Sequence, residues 1–182
     1  MSGQTWVETL VLSTTDGTTI DGTTGGAAAI EPLAAYLELP PNSIKVGTTF
    51  RVTASGRISC DAGTPGTLLL TVGYTGEFFN FAGETIALND AGKTDVAWSL
   101  VVNTTCRSTG DAGTLQSHGV FTSEAVVGSP LPSVGGSGAL VLSSLSTLVT
   151  SQVQTPELYA ALSATTATTS ITCTQFLVES LN

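Results

Sequence analysis

The sequence predicts an all-β protein, an antiparallel β-sandwich of jelly-roll type with an N-terminal arm. The first observation is composition: 41% of the 182 residues are hydrophobic and only 10% are charged, so the chain can bury a core. The second is an alternation of apolar and polar residues with a period of two, typical of half-buried strands. The third is a turn signal about every ten residues, and eight or so strands spaced in this way favour a jelly roll.

The clearest strand is predicted at residues 50–60, in which every second residue is apolar or small and the residues between are polar. The segments 95–103 and 68–74 show the same alternation, which places their apolar side chains on one face. Further strands are predicted at 6–12, 34–39, 77–81, 115–122, 139–142, 158–163 and 170–178.

Turn chemistry separates these segments. The triplet Asp-Ala-Gly occurs at 61–63, 90–92 and 111–113. Asp can bond its own backbone at the start of a turn, and Gly can adopt the left-handed conformation that ends it. Helical periodicity is weak: the apolar residues of 142–149 come nearest to it, but Thr and β-branched residues favour strands.

The chain is predicted to hold one sandwich domain at 30–182, preceded by an N-terminal strand and flexible arm at 1–29. Residues 14–29 are mostly Thr, Gly, Asp and Ala, a composition that predicts an extended linker. Apolar residues before a linker can dock onto a neighbouring subunit, and an ordinary edge strand is an equally good interpretation. The residues of this possible docking arm are Trp6, Val7, Leu10 and Leu12.

Charge argues against several partners. The chain carries five Lys and Arg against fourteen Asp and Glu, a net charge of −9. A negative protein without a basic stripe repels phosphates, so no nucleic-acid partner is expected. No segment has the roughly 20 apolar residues of a membrane helix, so no membrane partner is expected either. The N-terminus lacks the pattern of a secretory signal, which predicts synthesis in a cytoplasm.

The three cysteines, Cys60, Cys106 and Cys173, lie far apart in the sequence. Paired metal ligands such as C-x2-C do not occur, so no metal site is predicted. Buried free thiols are the favoured interpretation, because free Cys packs like a small hydrophobe. One disulfide with a spare thiol is the alternative.

No set of residues points to catalysis, and neither a catalytic residue nor a cofactor is predicted. His118 has no acid or Cys at a readable spacing that would orient it as a base. Glu77 and Glu84 flank an aromatic segment and could form a carboxylate pair, but fourteen acids always permit some pair. Calcium at converging Asp-Ala-Gly turns is a minor alternative. We therefore expect a protein that is not an enzyme, and a small hydrolase is the least favoured function.

Two arginines share the polar face of the clearest predicted strand. Arg51 and Arg57 are separated by an even number of positions, so their side chains point the same way. We expect them to pair with acids of a neighbouring subunit, although a single surface pair contributes only about 0–1 kcal/mol.

Several blocks of the chain resemble structural proteins of tailed bacteriophages. The longest is the run LPPNSIKVGTT at 39–49, which leads into FRVTASGRIS at 50–59. Shorter similar pieces follow in the same order, and the resemblance covers roughly residues 30–182. These pieces are TPGT at 64–67, WSL at 98–100, TCR at 105–107, GVFT at 119–122 and QFLV at 175–178.

The resemblance implies a virion protein that decorates and stabilises the outside of a capsid. The implied partners are the major capsid protein and further copies of this chain, expected as a homotrimer, on a particle assembled in the host cytoplasm. No catalytic residue carries over, because the shared blocks are turns and strand faces. The alternative is a receptor-binding or fibre-tip module of a phage tail or head fibre.

Overall fold

The computed structural model describes residues 7–13, 15–32, 37–74, 77–80, 85–127 and 144–181. Within these ranges the chain forms strands and loops but no helix, which confirms the predicted all-β class. The strands are β1 (Glu8–Ser13), β2 (Ile20–Asp21), β3 (Ala28–Ala29), β4 (Thr49–Ala62), β5 (Thr67–Tyr74), β6 (Glu77–Asn80), β7 (Ile86–Ala87), β8 (Ala91–Ser108), β9 (Gly113–Ser123), β10 (Ser144–Leu148), β11 (Pro156–Leu162) and β12 (Ser170–Ser180).

The strands form two antiparallel sheets that pack against each other. The larger sheet follows the order β1-β12-β4-β8-β9-β10, with β2 also paired to β12. The smaller sheet follows the order β3-β11-β5-β6, with β7 also paired to β5. Inward side chains of both sheets share one core, which is the arrangement of a β-sandwich. The sandwich prediction is therefore confirmed, and the jelly-roll connectivity stays a prediction.

The longest ladder joins β4 and β8, whose alternation predicted them as strands. β8 extends beyond the predicted 95–103 at both ends, because β4 pairs with it from its start and β9 pairs with it to its end. The ladder continues past Ile58 through an irregularity in register before Cys60. Asp95 lies in this irregularity with a φ of 54°, a backbone conformation that Asp tolerates better than most residues.

Trp98 lies at the centre of the core side of β8. It is 2% exposed, and its ring stacks on Phe121 with the centroids 5.8 Å apart. The indole Nε1 donates hydrogen bonds to the carbonyl oxygens of Arg57, at 3.2 Å, and Thr172, at 3.1 Å. Arg57 belongs to β4 and Thr172 to β12, so this indole of β8 links three strands of the larger sheet. Gly56 lies directly opposite Trp98 in the ladder between β4 and β8.

The segment 14–29, predicted as an extended linker, lies along the sandwich in its described part, and this corrects the prediction. Ile20 is 1% exposed within β2, which pairs with β12, and the Gly17 amide donates to the Cys173 carbonyl at 2.7 Å. β3 pairs with β11, and Ile30 directly after it is fully buried. Two isoleucines thus anchor a stretch whose Thr and Gly content suggested freedom. The domain division at residue 29 stays a prediction.

Two further predicted strands differ from the structure or lie outside it. Of 34–39, residues 37–39 are described, and among these three only Leu39 makes a bridge, an isolated one to Gln154. The two prolines that follow cannot donate to a ladder, so the chain enters a loop. This loop covers a second, smaller apolar cluster near the end of the larger sheet. The predicted strand at 139–142 lies outside the described residues, whereas β10 just after it was not predicted.

Candidate interaction surface

The outer face of the larger sheet, the side turned away from the core, carries a row of mostly apolar side chains. Register places five residues side by side across five strands: Leu12, Leu177, Thr53, Val101 and Val120. Directly opposed residues of antiparallel strands point to the same face, so these side chains are neighbours. Leu12, Val101 and Val120 are 54%, 39% and 37% exposed. We call these five residues the apolar row.

A charged row lies on one side of the apolar row. It contains Glu179 on β12, Arg51 on β4, Asn103 on β8 and His118 on β9, in that order. The Arg51 Nη1 atom lies 3.8 Å from Glu179 Oε2, and the Arg51 Nε atom donates a 3.2 Å hydrogen bond to Asn103 Oδ1. Arg51 is therefore held between the two strands that flank its own.

Arg57 lies further along β4 and pairs with Asp95, whose Oδ2 atom is 2.5 Å from Arg57 Nη1. Both side chains are more than half exposed, so this pair contributes little to folding. Arg51 and Arg57 were expected to meet acids of a neighbouring subunit. Within the chain they meet Glu179 and Asp95, because β12 and β8 bring those carboxylates beside β4. Pairing with a neighbouring subunit stays a prediction.

Hydroxyl and amide groups lie on the other side of the apolar row and bond to each other. The Ser99 and Thr122 hydroxyl oxygens are 2.7 Å apart, and Ser55 Oγ donates to Gln175 Oε1 at 3.4 Å. A buried polar group without a partner is costly, whereas these groups already have partners within the chain. A second surface could therefore cover this part of the outer face at a low desolvation cost.

The described residues of the predicted docking arm lie in different environments, some exposed and one partly buried. Trp6 lies outside the described residues. Val7 is 59% exposed just before β1, and Leu12 belongs to the apolar row. Leu10 instead packs partly buried against both apolar clusters. β1 pairs with β12 of its own chain, so in this structure it is the edge strand of the alternative interpretation.

His118, weighed above as a base, is exposed at the end of the charged row. Its neighbour across the ladder is Asn103, and the carboxylate of that row, Glu179, lies three strands away. Strands are about 4.8 Å apart, so the separation is about 14 Å. At that distance Glu179 cannot orient the imidazole.

Of the carboxylate pair weighed above, Glu84 and the Glu77 side chain lie outside the described residues. The fold brings another pair together, Glu31 after β3 and Glu157 in β11. Glu31 is half-buried, and its Oε2 atom accepts a 3.0 Å hydrogen bond from the Leu158 amide. These two acids are 126 positions apart, and only the pairing of β3 with β11 brings them close. Periodicity and spacing hold no signal for such a contact.

Burial controls the protonation of this pair. Burial raises the pKa of Glu31 above its ordinary value of 4.5, and the negative charge of Glu157 raises it further. Hydrogen bonds from the backbone to the Glu31 carboxylate act in the opposite direction and lower this pKa. Burial likewise raises the pKa of Glu157, and a hydrogen bond with Tyr159 opposes it. For a carboxyl with a raised pKa, folding is favoured below the unfolded value and loses that contribution as pH rises through the folded value.

We expect Glu31→Gln to stabilise the protein at pH 7 and to have little effect at pH 4. Gln keeps an oxygen to accept from the Leu158 amide but removes the buried charge. The gain at pH 7 should exceed the roughly 0.5 kcal/mol typical of surface substitutions. Urea unfolding at both pH values measures it, with the exposed Glu8→Gln as the control. Destabilisation by Glu31→Gln at pH 7 that disappears at pH 4 would contradict this expectation, because it would show that the ionised carboxylate stabilises the fold.

The Asp-Ala-Gly turns do not converge on a calcium site. The turns at 61–63 and 90–92 adjoin, since the Gly63 amide donates to the Asp90 carbonyl at 2.8 Å. The third turn follows the far end of β8, and its Asp111 accepts a 2.8 Å hydrogen bond from Ser151. Asp61 accepts from the Thr166 hydroxyl. Among the described residues, no three or more His, Cys, Asp or Glu side chains are grouped to hold a metal ion.

All three cysteines are buried free thiols, as predicted, so the disulfide alternative is excluded. Burial raises the pKa of Cys173 to about 12, and it raises the pKa values of Cys60 and Cys106 above their ordinary value. A thiol reacts as its thiolate, so all three are expected to stay inert near neutral pH.

No protein-family model matches the chain, and comparison with curated proteins gives no significant match. The described part of the chain contains no helix of the length and apolarity needed to cross a membrane. Fold and surface together therefore define an all-β sandwich with a broad outer face.

Proposed function

We propose that this chain is a non-enzymatic structural protein of a tailed-bacteriophage virion, which decorates the capsid surface and stabilises it. Two lines support the proposal: the ordered sequence blocks that resemble phage structural proteins, and the outer face of the larger sheet. The single observation that carries it is the apolar row, which crosses five strands. It is flanked by the bonded Arg51 and by paired hydroxyl groups. The jelly-roll form of the sandwich belongs to the same proposal.

The proposed mechanism is cementing. A decorating subunit that bridges capsid subunits adds binding free energy, which opposes the outward pressure of packaged DNA. The apolar contribution is about 25 cal/mol per Å² of buried area, reduced by the cost of association. The major capsid protein and further copies of this chain, expected as a homotrimer, are the proposed partners. Closed symmetry would give every copy in such a ring the same interface.

The test compares phage heads with and without this chain. Heads that lack it should release DNA at a lower temperature, and purified chain added back should bind the heads and restore the higher temperature. A matched control is chain carrying Val101→Asp, which places a charge in the apolar row. Failure of the unmodified chain to bind heads, or binding without any change in release temperature, would contradict cementing.

A further inference from the structure

We propose that the outer face of the larger sheet is a two-fold interface, at which the apolar row packs on the same row of a second copy of this chain. The inference rests on the proposed function and deepens it, because it assigns the apolar row to one of the two proposed partners, a further copy of this chain. Two trimers that meet through this face would form an even assembly, and the tests below use the purified chain alone, so their failure is distinct from failure to bind heads. The charge of the face, its internal complementarity and its area all point to a second copy of this chain as the partner.

The distribution of charge favours the outer face as the place where a second copy binds. The chain carries a net charge of −9, so most encounters between two copies bring like charges together. On the outer face around the apolar row, the positive charges of Arg51 and Arg57 are matched by Glu179 and Asp95. Two copies can therefore meet here without net repulsion, although opposed like charges elsewhere cost several kcal/mol.

The exposed apolar residues point to the same place. The described residues include seven exposed large hydrophobic side chains, and three of them belong to the apolar row. Those three are Leu12, Val101 and Val120, on three different strands that register brings into line. Scattered single hydrophobics on a surface are ordinary, whereas an aligned set marks a contact site.

The order of the rows fits a two-fold axis that runs along the apolar row. Such an axis sets each residue of that row on its own counterpart. The charged row of one copy, with Arg51, then lies over the hydroxyl groups of the other, near Ser55 and Ser99. An axis along β4 would instead set Arg51 on Arg51. Isologous contacts of this self-complementary kind are the usual basis of dimers.

The face is large enough for a stable contact. Five strands at about 4.8 Å spacing and about nine residues at 3.3 Å rise give about 700 Å² per copy. A standard interface buries about 800 Å² per partner. The area of the outer face is thus close to the area that each partner buries in a standard interface.

The first test places a charge in the row. The wild-type chain should sediment at micromolar concentration with an even number of 18.4 kDa subunits. Val101→Asp should weaken this association at least about tenfold, because a two-fold contact holds the new charge twice. The control is Val153→Asp, at a residue that is 40% exposed against 39% for Val101 but lies outside the row. A monomeric wild type, or equal weakening by both variants, would overturn the proposal.

The second test reads out proximity and does not depend on stability. Since Cys60, Cys106 and Cys173 are buried, Val101→Cys would add an exposed thiol to the described part of the chain. A thiol near the axis meets its own counterpart, and a disulfide needs Cβ atoms about 3.5–4.5 Å apart. Mild oxidation should link Val101→Cys into covalent dimers but leave Val153→Cys unlinked. A trimer that Val101→Asp leaves intact, together with no linkage through Val101→Cys, would overturn the two-fold contact.

Discussion

Replacing Gly56 with alanine should destabilise the protein by about 3 kcal/mol or more, a large loss for the addition of one methyl group. A Cβ atom at Gly56 would lie 1.9 Å from the Thr172 carbonyl oxygen and 2.9 Å from Trp98 Nε1. The first of these neighbours is backbone, so it cannot rotate away as a side chain could. Either β12 moves away from β4 or the Trp98 hydrogen bonds are lost.

A matched glycine provides the control for this experiment. Gly25 has no atom within 4 Å of the position that a Cβ would occupy. Gly25→Ala should therefore have little effect or stabilise slightly, because alanine reduces the entropy of the unfolded chain. Denaturant unfolding of both variants measures the difference. An unchanged unfolding midpoint for Gly56→Ala would mean that β12 and β4 do not approach each other as described.

Replacing Trp98 with alanine should cost about 3–5 kcal/mol, the range for removing a buried Trp or Phe side chain. The indole is almost fully buried, and its loss leaves a cavity beside Phe121 between the two sheets. The loss also removes the donor that joins the carbonyls of Arg57 and Thr172. These two carbonyls belong to neighbouring strands, so the larger sheet itself is weakened.

Trp98→Phe separates packing from hydrogen bonding. Phenylalanine keeps much of the apolar area and the stacking on Phe121, but it cannot donate to either carbonyl. We expect a smaller loss than for Trp98→Ala, of about 1–3 kcal/mol for groups left without a partner. Thermal or urea unfolding of the two variants gives both values. Equal losses for Trp98→Phe and Trp98→Ala would mean that packing of the ring contributes nothing.

Sequence periodicity predicted the strands that are buried on one face. β4, β8, β5, β9, β11 and β12 all lie where alternation or strand propensity indicated, because a half-buried strand must alternate. The short strands β2, β3 and β7 were not predicted, since two residues carry no period. Ile20 in β2 is an example: its buried side chain holds the Thr- and Gly-rich segment 14–29 against the sandwich, whereas the composition of that segment predicted an extended linker.

The candidate surface was predicted only in part. Alternation placed Arg51 and Val101 on outward faces, but register decides which outward residues are neighbours. The apolar row joins Leu12 to Val120 through three intervening strands, and their separation of 108 positions in the chain carries no signal of contact. Strand order likewise assigned Arg51 and Arg57 to partners within the chain.

The most direct measurement is electron cryomicroscopy of purified phage particles, with the copy number of this chain determined from the same preparation. The proposed role predicts extra density on the head lattice and on the order of hundreds of copies, because each equivalent lattice position repeats the same interface. Density confined to a tail or fibre tip, with a few copies, would support the receptor-binding alternative. That result, or particles without the chain, would contradict capsid decoration.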